Sequence, residues 1–206
     1  MEKVGMETAS RRFELMGVAL IGIAGLAVNL AGWRARPLDM DWLPFVDDAL
    51  LFLETGTPPL TGSLLSMGAY TPPLSTWLFM PGVALFDHPG NYVMVGSGAL
   101  YLGTLAGIFV LAQRHAGTAC GYLAVSLFAF SKIGQHFASF IGGWTFFFIW
   151  VLYFASRWVF DRNAKYLAAS LLVWCIGMYN MMIIAPLLFV FPVLWLVYRP
   201  PVTLRP

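Results

Sequence analysis

Residues 13–33 read FELMGVALIGIAGLAVNLAGW, an apolar run of about 21 residues with a single charged side chain. A helix of this length spans the hydrocarbon core of a bilayer. Lys3, Arg11 and Arg12 precede the run, and basic residues beside a span favour the cytoplasmic side. The run is longer than a usual signal-peptide core and has no clear small-x-small cleavage site before Trp33. It therefore predicts an uncleaved anchor with a cytoplasmic N-terminus.

The composition agrees with a membrane protein. The 206 residues are 59% hydrophobic and 11% charged, and the mean hydropathy is +0.75. This leaves too little polar surface to cover a water-soluble globule. The formal net charge of +2 is small and its basic residues are scattered, which argues against nucleic-acid binding. Cys120 and Cys175 lie in separate apolar runs, where we expect them to pack as small hydrophobic residues.

Further apolar runs follow the anchor. They cover residues 72–86, 92–112, 119–131, 143–160 and 166–198. The last is too long for one span and is expected to divide near Asn180 or Pro186. The run at 92–112 carries glycines that would let a neighbouring helix approach closely. These features predict an all-α, polytopic membrane helical bundle of six or seven spans, forming a single membrane domain over residues 1–206.

The number of spans depends on residues 72–86, which are short for a perpendicular crossing. If this run crosses, seven spans place the later basic residues outside, against the positive-inside tendency. If it is re-entrant, those residues become cytoplasmic. They are Arg114, Arg157, Arg162, Lys165, Arg199 and Arg205. The sequence leaves both alternatives open.

Half of the acidic residues lie in one stretch between the first two apolar runs. These five of the 10 are Asp39, Asp41, Asp47, Asp48 and Glu54. We expect residues 34–71 to form a non-cytoplasmic loop that contains an amphipathic surface helix. Its apolar stripe is predicted to be Trp42, Phe45, Val46, Ala49, Leu50 and Leu53. Carboxylates beside a bilayer are candidates for proton transfer or cation binding.

The order of these segments resembles the N-terminal part of the GT-C glycosyltransferase superfamily. The branch concerned contains the dolichyl-phosphate-mannose mannosyltransferases and the lipid A aminoarabinose transferases. The resemblance covers most of the chain and is carried by Asp41, Ala49, Leu53, Glu54 and Gly56, followed by Thr71-Pro72-Pro73-Leu74. A basic turn at Arg114-His115 and a serine at Ser131 are also similar to the family. Trp42 stands where a second acidic residue is usual, and the later spans and C-terminal domain of typical full-length enzymes are not in this sequence.

The resemblance implies a polyprenyl-phosphate sugar donor, an acceptor on the non-cytoplasmic side and an inverting transfer. Inversion needs a base opposite the leaving phosphate, and the matched position makes Asp41 that base. The alternative is that Asp41 caps the surface helix, with Pro44 in its first turn.

Other polar residues are candidates for binding. Asp47 and Asp48 are candidate ligands for a divalent cation that bridges to the donor phosphate. The alternative, which the sequence favours, is that they form the solvated face of an amphipathic helix. The candidate substrate-binding residues, which supply cationic or hydrogen-bonding side chains, are Arg34, Arg36, Tyr70, Lys132 and His136. Arginines at an interface also snorkel to lipid headgroups, and tyrosines anchor there.

Two functions follow as hypotheses. The first is a GT-C-like membrane glycosyltransferase, or a truncated module of one, acting on a lipid-phosphate sugar. The second is a non-catalytic subunit that packs against other membrane proteins through its small-residue and tryptophan faces. A transporter is a third reading, but no inverted repeat is evident.

Overall fold

Helices account for nearly all of the regular structure. The computed structural model describes residues 2–33, 43–62, 73–86, 89–131, 143–180 and 182–202. The helices are α1 (Glu2–Trp33), α2 (Leu43–Thr55), α3 (Leu74–Leu85), α4 (Pro89–Ala116), α5 (Thr118–Phe130), α6 (Trp144–Asp161), α7 (Ala164–Asn180), a 3₁₀ segment (Met182–Phe189) and α8 (Val190–Tyr198). No strand occurs within these ranges. The predicted all-α class is confirmed for this part of the chain.

The apolar helices differ in length. Within the described ranges one stretch, Val95–Ala116 in α4, is long and apolar enough to cross a bilayer by itself. The shorter apolar stretches are Phe13–Val28, Thr76–Leu85, Thr118–Phe130, Ala164–Tyr179 and Ile184–Tyr198. The expectation of six or seven spans is therefore met only in part.

The last apolar run is divided, as the sequence predicts. α7 ends at Asn180, and the 3₁₀ segment that follows contains Pro186. Proline has no backbone N–H and its ring clashes with the preceding turn, so an α-helix cannot continue undisturbed through it. The indole Nε1 of Trp174 donates to the carbonyl oxygen of Ile184 at 3.1 Å, which satisfies an acceptor in this irregular segment.

α1 packs against α4 and α5. Near the end of α4, Gln113 Nε2 donates to the carboxylate of Glu14 at 2.9 Å. Further back in α4, Tyr101 lies against Gly25, where an added Cβ would come within 2.6 Å of the Tyr101 hydroxyl oxygen. These contacts make α1 and α4 antiparallel. The Tyr122 hydroxyl, near the start of α5, donates to the carbonyl oxygen of Glu14 at 3.1 Å, so α1 and α5 are parallel.

Glycines bring α4 and α6 close together. Trp150 Nε1 donates to the carbonyl oxygen of Gly103 at 3.1 Å. A Cβ added to Gly107 would lie 2.6 Å from Ile149 Cγ2, closer than side chains tolerate. The close approach expected from glycines in the 92–112 run is confirmed at these two positions. A Cβ added to Gly103 would lie 2.6 Å from Phe146 Cε2, so Gly103 faces Phe146 and Gly107 faces Ile149, and α4 and α6 are parallel.

A hydrophobic core connects α6, the 3₁₀ segment and α8, and α7 packs against it. Its buried members are Phe147, Val151, Ala155, Trp158, Val159, Ile184, Leu187 and Phe191. The Ser170 hydroxyl on α7 donates to the carbonyl oxygen of Val151 at 2.8 Å, so this buried polar group is satisfied. α7 runs antiparallel to α6, because Tyr166 near its start lies under the guanidinium of Arg157 near the end of α6.

Because of these helix directions, the C-terminal ends of α4, α6 and α8 lie at the same end of the bundle. α4, α6 and α8 end beside one another, with ring centroids 5.4 Å apart for His115 and Phe160 and 6.0 Å apart for Phe160 and Tyr198. α5 and α7 begin there, joined to α4 and α6 by Gly117 and by residues 162–163. Gly117 makes the α4–α5 turn with φ of 89°, a conformation that glycine adopts without steric cost.

α3 stays in the opposite half of the bundle. It has 12 residues, about 18 Å of helix. Leu74 at its start packs against the α6–α8 core, and Trp77 contacts Tyr179 near the end of α7. Toward its end, Val83 contacts α2, and α4 begins at Pro89. Both ends of α3 therefore lie in the half of the bundle that is distant from Arg114, where α4 ends.

Candidate functional site

The acidic stretch includes a helix that rests on α3. Val46 and Ala49 of α2 are buried against Val83, with Met80 packed beside them. The predicted helix is present. Of its predicted apolar stripe, Val46 and Ala49 contact α3, whereas Leu50 and Leu53 are exposed and are available to face lipid in a surface helix. Trp42 and the side chain of Phe45 lie outside the described residues.

Asp47 and Asp48 lie on this helix next to the buried face. Asp47 is exposed and Asp48 is half-buried. Consecutive helix positions point about 100° apart, so the two carboxylates do not by themselves converge on one ion. No cluster of three or more His, Cys, Asp or Glu side chains forms among the residues that the structure describes. The divalent-cation site at Asp47 and Asp48 stays a prediction.

The other predicted site residues lie outside the described residues. They are Asp41, Arg34, Arg36, Tyr70, Lys132 and His136. The structure does describe the residues that flank these segments. Trp33 ends α1, Pro73 precedes α3, and Ser131 and Gly143 lie on either side of residues 132–142. Gly143 contacts Leu100 in the first half of α4, on the side of the bundle away from Arg114.

A small hydroxyl-lined cavity lies between α4, α5 and α6 in the same half. Its polar lining comes from Ser97, Tyr101, Thr104 and Thr145. The Tyr101 hydroxyl donates to the carbonyl oxygen of Ala129 at 3.2 Å, and Thr104 donates to its own helix. No carboxylate, imidazole or cationic side chain is part of this described lining. The hydroxyl groups of this described lining can donate and accept hydrogen bonds.

At the other end of the bundle, Asp161 and Arg157 form a cluster of contacts that connects α4, α6 and α7. It forms an ion pair with Arg114 at the end of α4, and it accepts from Arg157 Nε one turn earlier in α6 at 2.8 Å. The Arg157 guanidinium also lies 4.0 Å from the ring centroid of Tyr166 on α7, a cation–π contact. The Arg157–Asp161 spacing of four residues was readable from the sequence. The pair with Arg114, 47 residues away, was not.

The arginines set the protonation of Asp161. The hydrogen bond from Arg157 is the largest influence and, with a weaker one from Arg114, holds the pKa of Asp161 below its ordinary value of 3.8. Desolvation, the second-largest influence, opposes them. A carboxyl group with a lowered folded-state pKa stabilises the fold above its unfolded pKa. That contribution is lost as the pH falls through the folded-state value.

We therefore expect Asp161→Asn to lower the melting temperature of the detergent-solubilised chain at pH 7, and the difference from wild type to shrink below pH 3.8. Thermal unfolding across a pH series measures this. Glu54→Gln, which removes an exposed carboxylate of α2, is the matched control and should leave the melting temperature unchanged. A difference for Asp161→Asn that is as large at pH 3 as at pH 7 would contradict the assignment.

The cationic side chains that the structure describes lie in one half of the bundle, together with Glu14 and Asp161, and three further acidic side chains lie in the other half. Five cations lie where α4, α6 and α8 end, at Arg114, Arg157, Arg162, Lys165 and Arg199, and we call this the basic end. Asp47, Asp48 and Glu54 belong to α2, and we call the half that holds α2 and α3 the acidic end. Counting spans along the sequence already predicts that these five cations share one side, whether or not residues 72–86 cross. The structure adds the contacts that bring the ends of α4, α6 and α8 together.

Comparison of the chain with protein-family models, with curated proteins and with solved structures finds no match.

Proposed function

We propose that this chain is an integral, multi-pass membrane protein with six crossings and a cytoplasmic N-terminus. The proposal is supported by apolar surface that the bundle leaves uncovered. Leu20 and Ile23 of α1, Leu127 of α5 and Leu172 of α7 are all more than half exposed. Exposed aliphatic side chains on several helices of one bundle are costly in water and neutral in lipid.

The helix directions support six crossings. α1, α5 and α7 run from the basic end to the acidic end, whereas α4, α6 and the 3₁₀–α8 segment run back. α3 returns to the half from which it starts, so in this proposal it is re-entrant. Helices shorter than the bilayer core, such as α5, cross in this proposal because flanking residues cover the remaining depth or because the bilayer thins locally.

The charges support the orientation. With six crossings all five cations of the basic end face the cytoplasm, together with the N-terminal segment that carries Lys3, Arg11 and Arg12. α2 and the start of α4 then face the non-cytoplasmic side. The conflict with the positive-inside tendency, which arises when residues 72–86 cross, disappears.

Cysteine accessibility tests this topology. In a background with Cys120→Ser and Cys175→Ser, we expect Thr57→Cys and Phe86→Cys to react with a membrane-impermeant maleimide in intact cells. Lys165→Cys should react only after permeabilisation. All three positions are exposed in the structure, so accessibility reports the side of the membrane. Labelling of Thr57→Cys and Phe86→Cys from opposite sides would show that α3 crosses and would overturn the six-crossing proposal.

We further propose that the chain is a GT-C-like glycosyltransferase, or a module of one, that transfers a sugar from a polyprenyl-phosphate donor on the non-cytoplasmic side. The observation that carries this proposal is the placement of α2. It begins two residues after Asp41 in the chain, and it packs on α3 in the half of the bundle opposite the basic end. In the proposed topology, a base next to α2 in the chain would have access both to a donor held in the bilayer and to an acceptor on the non-cytoplasmic side.

The remaining roles follow from the chemistry of the side chains. Asp41 accepts the proton of the acceptor hydroxyl while that oxygen attacks the anomeric carbon and the lipid phosphate leaves. Arg34, Arg36, Lys132 and His136 are proposed to bind the phosphate, and Tyr70 to line the mouth of the site. Asp47 and Asp48 are proposed to hold a divalent cation, should the reaction need one. The described residues that flank these segments belong to the acidic half of the bundle.

The test is sugar transfer by the purified chain in liposomes. The donor is a radiolabelled polyprenyl-phosphate sugar, and wild type is compared with Asp41→Asn. Transfer that depends on Asp41 supports the proposal, and no transfer with any polyprenyl-phosphate sugar opposes it.

A scaffold subunit is the second candidate. It is favoured by the exposed large side chains of α8, where Leu196 and Val197 are more than 60% exposed and Trp195 is 44% exposed. Such a face can pack on other membrane subunits instead of lipid. This function predicts co-purification with other membrane proteins in a fixed ratio, and it leaves complex function unchanged in Asp41→Asn.

A further inference from the structure

Two helix ends at the basic end are held side by side by their arginines. α6 is followed by Arg162 and α8 by Arg199, both in the left-handed conformation with φ of 51° and 46°. The Arg162 guanidinium donates from Nη2 to the carbonyl oxygen of Arg199 at 3.0 Å. Trp158 Nε1 donates to the carbonyl oxygen of Pro201 at 2.7 Å and fixes the segment after α8. The positions of these arginines are therefore set by the fold.

Three cations at this place have no carboxylate partner among the described residues. Arg162, Lys165 and Arg199 are exposed and take part in no ion pair there. The nearby Asp161 already serves Arg114 and Arg157, and Glu14 accepts from Gln113. The local excess of positive charge is left for a partner outside this part of the chain.

An exposed aromatic pair borders the cations. Phe160 and Tyr198 precede Arg162 and Arg199 in their helices, are 59% and 48% exposed, and have ring centroids 6.0 Å apart. On the other side of this pair lies the exposed aliphatic face of α8, which includes Val197. An apolar face, then aromatic rings, then cations is the order in which a protein meets acyl chains, the interface and headgroups.

We propose that Arg162, Lys165 and Arg199 bind the phosphate of an anionic phospholipid whose acyl chains lie along α8. This inference rests on the proposed membrane orientation and is independent of the proposed sugar transfer. A phosphodiester brings the missing negative charge, and guanidinium groups bind phosphate through paired N–H donors. The apolar face of α8 distinguishes a lipid from free phosphate, because only a lipid gains by covering it.

Each cation of this group is expected to contribute separately to the affinity for an anionic lipid. A basic residue near an anionic headgroup contributes roughly a fivefold gain in affinity, so removal of two is expected to weaken binding about 25-fold. The preference should also fall as salt is raised, since the cations are exposed.

The experiment titrates the purified full chain in neutral detergent with phosphatidylglycerol, phosphatidylcholine or inorganic phosphate and measures bound ligand by native mass spectrometry. The test variant is Lys165→Gln with Arg199→Asn, because asparagine tolerates the left-handed conformation of position 199. It keeps Arg162 and its bond between the helix ends. The matched control, Lys165→Arg with Arg199→Lys, keeps both charges.

We expect wild type and control to prefer phosphatidylglycerol over phosphatidylcholine, and the test variant to lose this preference by about 25-fold. Equal binding of the two lipids by wild type would overturn the proposal. So would phosphatidylglycerol binding that is unchanged in the test variant. Competition by inorganic phosphate at the same concentration as the lipid would show a simple anion site and overturn the lipid assignment. None of these outcomes depends on sugar transfer.

Discussion

Asp41→Asn is expected to reduce sugar transfer by about 10²- to 10⁴-fold while the chain still inserts and folds. The amide cannot accept the proton of the acceptor hydroxyl, so attack on the anomeric carbon loses its general base. Transfer from a radiolabelled polyprenyl-phosphate sugar in liposomes measures the loss. Donor binding should change much less than turnover, because the substitution removes a proton acceptor and leaves the shape of the site.

The choice of asparagine separates catalysis from helix capping. Asparagine is as good an N-cap as aspartate, so a capping role survives the substitution and a catalytic role does not. Asp39→Asn, two residues earlier with the same change in charge, is the matched control and should retain transfer. Wild-type rates in Asp41→Asn would remove the base from the mechanism and favour the scaffold function.

Trp158→Ala is expected to destabilise the bundle by about 3 kcal/mol, the lower part of the range for truncation of a large buried aromatic residue. Trp158 is 1% exposed, packs on Phe191 with centroids 6.4 Å apart and donates to Pro201 at 2.7 Å. In the proposed membrane bundle a side chain gains little from leaving water, so the cost comes from lost packing and the lost hydrogen bond, and the lower value is expected. Unfolding by a denaturing detergent titration measures it.

Trp195→Ala is the matched control, since this residue is 44% exposed on α8. Its removal should cost less than about 1 kcal/mol. Trp158→Phe keeps an aromatic ring but not the donor, and should cost about 1–2 kcal/mol, partly because the Pro201 carbonyl loses its partner. Equal destabilisation by Trp158→Ala and Trp195→Ala would show that Trp158 does not join α6 to α8.

The sequence predicted the helices better than it predicted their faces. The apolar runs at 92–112 and 143–160 correspond to α4 and α6, and the division of 166–198 falls at the end of α7. On α2, the predicted apolar stripe divides, since Val46 and Ala49 are buried against α3 whereas Leu50 and Leu53 are exposed. Lipid and protein interior are both apolar, so periodicity identifies an apolar face without showing which of the two covers it.

The candidate site divides in the same way. Residue types identified Asp41 and its neighbours as the place for chemistry, since carboxylates between membrane-length runs are few. Counting spans predicted that Arg114, Arg162 and Arg199 share one side, but not the ion pair of Arg114 with Asp161 or the bond from Arg162 to the carbonyl oxygen of Arg199. These contacts join residues 47 and 37 positions apart in the chain, and they depend on how the ends of α4, α6 and α8 pack together.

By itself, the sequence determined the helical class, the positions of the apolar segments and the break after Asn180, because these follow from local hydrophobicity and from the lack of a proline N–H. Only the tertiary structure decided that both ends of α3 lie in the same half of the bundle and which contacts hold the ends of α4, α6 and α8 together. A helix of 12 residues does not fix its own orientation in the bundle. Its partners do, with Val46 and Ala49 of α2 at one end and the α6–α8 core at the other.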